Sequence, residues 1–270
     1  MNKKNKVIAL WSPVSGVGAT FTAINIAKMM GERGAKVALF DFDLKTPDTH
    51  IYLENKDNVH CIDNVIPFTA GGRLPAEVIE NNIQEVEGFS YLRGTNSPDQ
   101  AQYVTVESLS SILDTAREMY DYIIIDTHSI IDNAGTFVAI READKALLLT
   151  EKNAITIQAY TDLKNLLSES FDIERFKIVI NKVQKNVYMD KSDVEEFYGM
   201  GEAHELPLLD AEFTNAINQG RWMSYLYSGD KVVRKYIKSL EELIIEEIKP
   251  DFAEKAAAKK SNFSLFRKRK

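Results

Sequence analysis

A doubly wound α/β fold, with a mostly parallel sheet held between two helical layers, is predicted for this 270-residue sequence by three observations. Short β-branched or aromatic runs recur, and each is followed by a stretch with helical spacing. Runs such as IIID at 123–126 and LLLT at 147–150 are apolar at successive positions, so both faces of those strands are buried, as a parallel sheet covered by helices requires. The composition, 44% hydrophobic and 27% charged, is globular and long enough to bury a large core.

In chain order, VIALW at 7–11 reads as the first strand, and the glycine turn that follows leads into TFTAINIAKMMGERG at 20–34. That stretch has apolar residues at helical spacing and is expected to stop at Gly31 and Gly34, a normal exit from helix to strand. KVALFDFD at 36–43 is the second strand. Segment 52–88 is broken into short pieces by NKDN, TAGGR and PAEV. FSYLRG at 89–94, YDYIIID at 120–126, KALLLT at 145–150 and FKIVIN at 176–181 complete the strand set. DKVVRKYIKSLEELIIEEI at 230–248 is an amphipathic helix opened by Asp230 and ended by Pro250. The reading is one domain over 1–248 and a basic, flexible tail over 249–270. No internal repeat is present.

The formal charge of -7 divides unevenly. Residues 249–270 carry eight Lys/Arg and two Asp/Glu, which leaves an acidic body and a basic tail. An acidic body argues against broad binding to a phosphate backbone. Arg221, Lys231, Arg234, Lys235 and Lys238 cluster near the last helix, and they read as one solvated face before they read as a nucleic-acid surface. The single cysteine, Cys61, excludes an internal disulfide framework, and MNKKNKVIALW holds too short an apolar run for a secretory signal. No stretch approaches the roughly 18 apolar residues of a bilayer span. A cytoplasmic protein is expected; the tail NFSLFRKRK, where Phe263, Leu265 and Phe266 precede four cations, reads as a contact with the inner membrane face, a solvated tail or a peptide for a protein partner.

The stretch from Pro13 to Phe21 occupies the turn from strand to helix. Gly16 and Gly18 let the backbone approach an anion closely, while the first helical N–H groups point at it. A phosphate loop of this kind normally carries lysine, and here none is present. Acidic residues Asp41, Asp43 and Asp126 stand at the carboxyl ends of two strands, where ligands of open parallel sheets bind. Thr20 offers a hydroxyl suited to Mg²⁺, and Asp126 could hold that ion through water, or could cap the next turn. His128 reads as a satisfied turn residue.

The ordered set SPVSGVGAT, ALFDFDLKTPD, YDYIIIDT, ADKALLLTE, IVINKV and ELPLLD through NAINQG resembles the MinD/ParA family of deviant Walker P-loop ATPases over roughly residues 6–225. Within it, the branch of pilus assembly and polar positioning (CpaE/TadZ) is the most similar. The resemblance implies that Ser15, Gly16, Val17, Gly18, Ala19, Thr20 and Phe21 form the phosphate site. It further implies Thr20 and Asp126 for Mg²⁺, with Asp43 at the metal side positioning the attacking water. Asn181 would bind adenine, and Pro207, Leu208 and Asp210 would lie over the base. It also implies a homodimer and a protein partner of a positioning, secretion or pilus system.

Val14 and Ala19 fall where the family has its two loop lysines. A charge-assisted hydrogen bond contributes about 1.5 to 3 kcal/mol, so weak ATP or ADP binding and little or no hydrolysis are expected. The alternative is an active ATPase with a relocated lysine, for which Lys28 and Lys45 are the candidates, although both read as solvent-exposed. A metabolic phosphotransferase is the remaining class, and no separate substrate motif supports it.

Overall fold

The computed structural model describes residues 6–248, apart from 55, 56, 58, 87, 186 and 227–229. The tail at 249–270, with its membrane reading, lies outside them. The elements run β1 (Lys6–Trp11), α1 (Ala19–Glu32), β2 (Val37–Phe42), α2 (Thr49–Tyr52), α3 (Ala76–Glu80), β3 (Gln84–Val86) and β4 (Phe89–Leu92). They continue with α4 (Val106–Met119), β5 (Tyr122–Thr127), α5 (Ala134–Glu142), β6 (Lys145–Thr150), α6 (Ala154–Ser170) and β7 (Phe176–Val183). The chain then forms α7 (Lys191–Tyr198), β8 (His204–Pro207), α8 (Ala211–Asn218), α9 (Trp222–Leu226) and α10 (Lys231–Ile248).

The eight strands form one sheet in the order β3-β4-β2-β5-β1-β6-β7-β8. Only the β3–β4 pairing is antiparallel. The doubly wound class holds. Two edge strands were absent from the sequence reading: β3, the polar QEV, and β8, the four-residue HELP. Neither has the apolar run that marks the central strands, because an edge strand need not bury both faces.

Alternate residues of each strand feed opposite cores. Ile8 and Leu10 join Leu39, Ile124 and Leu147 beneath α1, α8 and α10, whereas Val7 and Ala9 join Phe40, Ile123 and Ile125 beneath α4 and α5. Trp11 and Leu148 face α6 and α7. Burial on both sides is the reason the strands read as continuous apolar runs.

The helix-stop reading of Gly31 needs correction. α1 passes through it to Glu32, and a Cβ at Gly31 would stand 1.6 Å from the Gly88 carbonyl oxygen. Glycine there permits the β3–β4 turn to press against the helix; Gly34, at φ 90°, makes the exit. Asp230 does open α10, its Oδ1 accepting from Val232 N at 2.6 Å. Arg221, Lys231, Arg234, Lys235 and Lys238 are all exposed, and the four on α10 lie opposite buried Val233, Tyr236 and Leu240, as a solvated helix face requires. No helix among the described residues is long and apolar enough to cross a membrane.

Candidate functional site

The turn between β1 and α1 lies at the middle of the sheet, between the carboxyl ends of β5 and β6, where the strand order reverses. Gly16 and Gly18 both have positive φ, at 80° and 102°. Gly18 has a further reason to be glycine, since a Cβ would meet the Asn181 amide at 2.5 Å. The start of α1 also differs from the other long helices. Thr105, Asn133, Asn153, Asp190 and Asp210 cap α4, α5, α6, α7 and α8 with side-chain oxygens, whereas Gly18 offers α1 no side-chain cap. The first N–H groups of a helix have no intrahelical acceptor, so those of α1 are left to an external anion.

Several bonds hold the turn in shape. Val14 N donates to Ser12 Oγ at 3.2 Å, the Ser15 and Ser129 hydroxyls are 2.8 Å apart, and Thr22 Oγ1 donates to the Gly18 carbonyl at 2.8 Å. Val14 and Ala19 pack against the core beneath α1, so the residues standing in the lysine positions contribute apolar contact. The Phe21 side chain is buried against Phe213 and Trp222, with ring centroids 4.7 and 5.3 Å away, which leaves only its backbone for a phosphate.

Opposite this turn stands a concentration of carboxylates. Asp41 and Asp126 are register partners on β2 and β5, and each is 1% exposed. Thr49 Oγ1 donates to Asp126 Oδ2 at 3.1 Å, and Asp43 N donates to Asp41 Oδ1 at 3.1 Å. Asp41 Oδ2 is buried with no hydrogen-bond partner. Burial, then repulsion from Asp126, Asp43 and Asp48, holds the Asp41 carboxyl well above its ordinary range. Burial likewise raises Asp126, against the pull of the Thr20 hydroxyl. Thr20 is also within hydrogen-bonding reach of Asp48, which burial raises too.

These residues fit a Mg²⁺-nucleotide. Two repelling buried carboxyls, one with an orphaned oxygen, stand near a threonine hydroxyl at an uncapped helix start. Among the described residues no three His, Cys, Asp or Glu side chains form a ready-made metal cage. Mg²⁺ held by one or two carboxylates, waters and substrate phosphates needs none.

The remaining expected site residues fall into place unevenly. Asp43 is tied into its own turn, its oxygens accepting from Thr46 N at 2.9 Å and Thr46 Oγ1 at 3.0 Å. His128 Nδ1 accepts from Ile130 N at 2.9 Å, a turn role as expected. Pro207 ends β8 opposite Val183, two residues beyond Asn181, Leu208 N donates to the Val183 carbonyl at 3.1 Å, and Leu208 is 38% exposed. Asp210 caps α8 through Phe213 N at 3.0 Å and accepts from Tyr225 OH at 2.6 Å, the bond that chiefly lowers its acidity range. Asn181 donates its amide to the Val17 carbonyl at 2.7 Å and so holds the phosphate turn, whatever else it binds.

Of the lysines considered as replacements, Lys45 is exposed as expected, but Lys28 is not. It is 2% exposed and pairs with Glu32 at 3.3 Å, about 12 Å along the helix axis beyond Thr20.

Sequence reasoning missed three residues. Asp48 and Thr49 lie in the carboxylate and hydroxyl run DLKTPDT, whose density was the available signal. Lys182 follows Asn181 in IVINKV, and its Nζ donates to the Gly16 carbonyl at 2.5 Å and pairs with Glu151 at 2.8 Å. Its φ is 54°, a left-handed backbone that costs a residue with a Cβ about 1 to 2 kcal/mol. The β7–β8 register shifts between Ile180 and Val183, and such a bulge re-aims side chains.

A two-glycine turn opening an uncapped helix at the switch point, facing a threonine and paired strand-end aspartates, defines a P-loop nucleotide-binding protein of the MinD/ParA type. The chain belongs to the AAA domain family, whose profile matches residues 5–181. It is similar to the tyrosine-protein kinase CpsD of Streptococcus pneumoniae, 26% identical over 73% of this chain and 83% of that one. It is also similar to the putative septum site-determining protein MinD of Nephroselmis olivacea, 30% identical over 76% of this chain and 73% of that one. The chain spans only 24% of the putative tyrosine-protein kinase EpsB of Ralstonia solanacearum. In fold it matches the ParA family ATPase from Chlorobium tepidum with a TM-score of 0.77, at 18% identity over 87% of this chain and 98% of that one.

Proposed function

We propose that the protein binds Mg²⁺-ATP or Mg²⁺-ADP weakly and hydrolyses ATP very slowly or not at all. In this reading it acts as a positioning or scaffold factor of the pilus-assembly or partition type, working as a homodimer with a protein partner. The observation that supports the reading is the pairing of two buried strand-end aspartates with a turn in which half-buried Val14 and Ala19 stand where the family resemblance puts lysines. Backbone N–H groups and Mg²⁺ suffice to hold a polyphosphate loosely. Phosphoryl transfer depends on neutralising charge that develops in the transition state, and one cationic contact there is worth roughly 10³ or more in rate.

Bound Mg²⁺ would supply that neutralisation in part. Thr20 and Asp126 would hold the ion, Ser15 to Phe21 would cradle the phosphates, and Asn181 with Pro207 to Asp210 would flank the base. Asp43 would orient water once its bonds to Thr46 are released.

Calorimetric titration with Mg-ATP and Mg-ADP, beside a phosphate-release assay, tests the reading. Micromolar-to-millimolar affinity with negligible release is expected. Turnover matching a lysine-bearing relative would defeat it. Co-sedimentation with anionic liposomes, with and without residues 261–270, tests membrane contact; equal pelleting would remove that part.

A further inference from the structure

We propose that Lys182 is the surrogate cation of the lysine-free phosphate turn, and that Glu151 competes with the phosphates for it. This rests on the nucleotide-binding reading above and adds the residue that controls it. A lysine in a regular strand at this point would follow the alternation of β7. Here the register shift after Ile180 and the left-handed backbone at Lys182 turn two successive side chains toward the same target. Asn181 reaches the Val17 carbonyl and Lys182 reaches the Gly16 carbonyl, so the two grip adjacent peptides of the turn from one strand. A strained conformation kept for that purpose points to function.

The ammonium has three donors, of which the Gly16 carbonyl takes one and Glu151 another. The pair is partly solvated, with side-chain exposures of 38% and 26%, so the amine can exchange partners without crossing a buried barrier. Glu151 is itself fixed at the start of α6, where Asn153 Nδ2 donates to its other oxygen at 3.2 Å. A polyphosphate entering the turn brings several negative charges beside an amine whose present partner has one. Lys182 is a positioning residue: it holds the turn through Gly16 and offsets ground-state phosphate charge. Binding that is equal in ground and transition states tightens affinity without raising turnover, which accords with a protein that holds nucleotide and does not cut it.

The test is calorimetry with Mg-ATP on the full chain and on Lys182→Met, Lys182→Arg, Glu151→Gln and the double variant, with amide hydrogen exchange of residues 14–20 in the nucleotide-free proteins. Lys182→Met should weaken Mg-ATP about tenfold and flatten the salt dependence, the loss of one charge-assisted contact. Lys182→Arg should stay within about threefold of the parent, since the charge is kept. Glu151→Gln should tighten binding by a few fold, and this gain should vanish in the double variant, because the coupling runs through the amine. Exchange at 14–20 should quicken in Lys182→Met alone among the single variants. Unchanged affinity in Lys182→Met, or weakening in Glu151→Gln, would overturn the inference while leaving the nucleotide reading intact. No binding of Mg-ATP by the parent chain would overturn both.

Discussion

The two sides of the candidate site have been treated oppositely. At the carboxyl ends of β2 and β5 the chain keeps more negative charge than a folded protein holds comfortably, with Asp41 and Asp126 side by side and both 1% exposed. Across from them, the turn after β1 carries no lysine of its own, and half-buried Val14 and Ala19 pack against the edge of the core. The contrast teaches that these two sides obey different constraints. Buried carboxyls that repel one another cost stability unless a proton or a cation offsets their charge, whereas the phosphate turn is held together by backbone geometry and needs no lysine to keep its shape.

Restoring charge to the depleted side should have the largest effect. Ala19→Lys is expected to tighten Mg-ATP about tenfold to a hundredfold and to raise phosphate release by on the order of 10³, read by calorimetry and a release assay. No change in either would mean that the turn no longer forms a phosphate site.

Relieving the crowded side comes next. Asp41→Asn should stabilise the nucleotide-free protein by about 1 to 3 kcal/mol at pH 8, read from denaturant unfolding, because a buried carboxylate is removed and an amide can bond its neighbours. The same charges fix the direction of the pH dependence. With the Asp41 and Asp126 carboxyls raised in the folded chain, the native state retains protons that the unfolded chain has released. Their contribution to stability is therefore full below the ordinary carboxylate range of about 4 and is lost as pH climbs through the raised folded values. The melting temperature of the nucleotide-free protein should fall from pH 5 to pH 8, and saturating Mg-ADP should flatten that slope. A melting temperature that rises over this interval would contradict the crowding.

Asn181→Ala should cost about 1 kcal/mol by leaving the Val17 carbonyl without its amide, and should quicken hydrogen exchange at 16–20 more than elsewhere. Uniform exchange across the chain would show that the contact is incidental. The smallest effect belongs to Asp43→Asn, where asparagine can still accept from the Thr46 turn; stability should change by less than about 0.5 kcal/mol. A larger loss would place Asp43 with the crowded, buried group instead of at its margin.

Much of the fold was legible because burial on both faces writes itself into a strand as an unbroken apolar run, as in β5 and β6. β3 and β8 escaped because an edge strand carries no such mark. Gly31 was misread for a related reason: glycine signals a helix exit and a close packing contact alike, and only the neighbouring Gly88 carbonyl distinguishes them. Lys28 reads as exposed in any local window. Its burial, at 2% exposure, appears only in the folded chain.

The sequence alone determined the alternation of strand and helix, the glycine turn after the first strand, the aspartates at strand ends and the absence of lysine in between, since each is a matter of residue type and local spacing. Tertiary structure decided which charges meet. Asp41 faces Asp126 through strand register, and Lys182 reaches Gly16 only because β7 bulges at that point. Electrostatic interaction depends on distance through space, and residues as far apart in the chain as Gly16 and Lys182 acquire one only when the sheet is assembled.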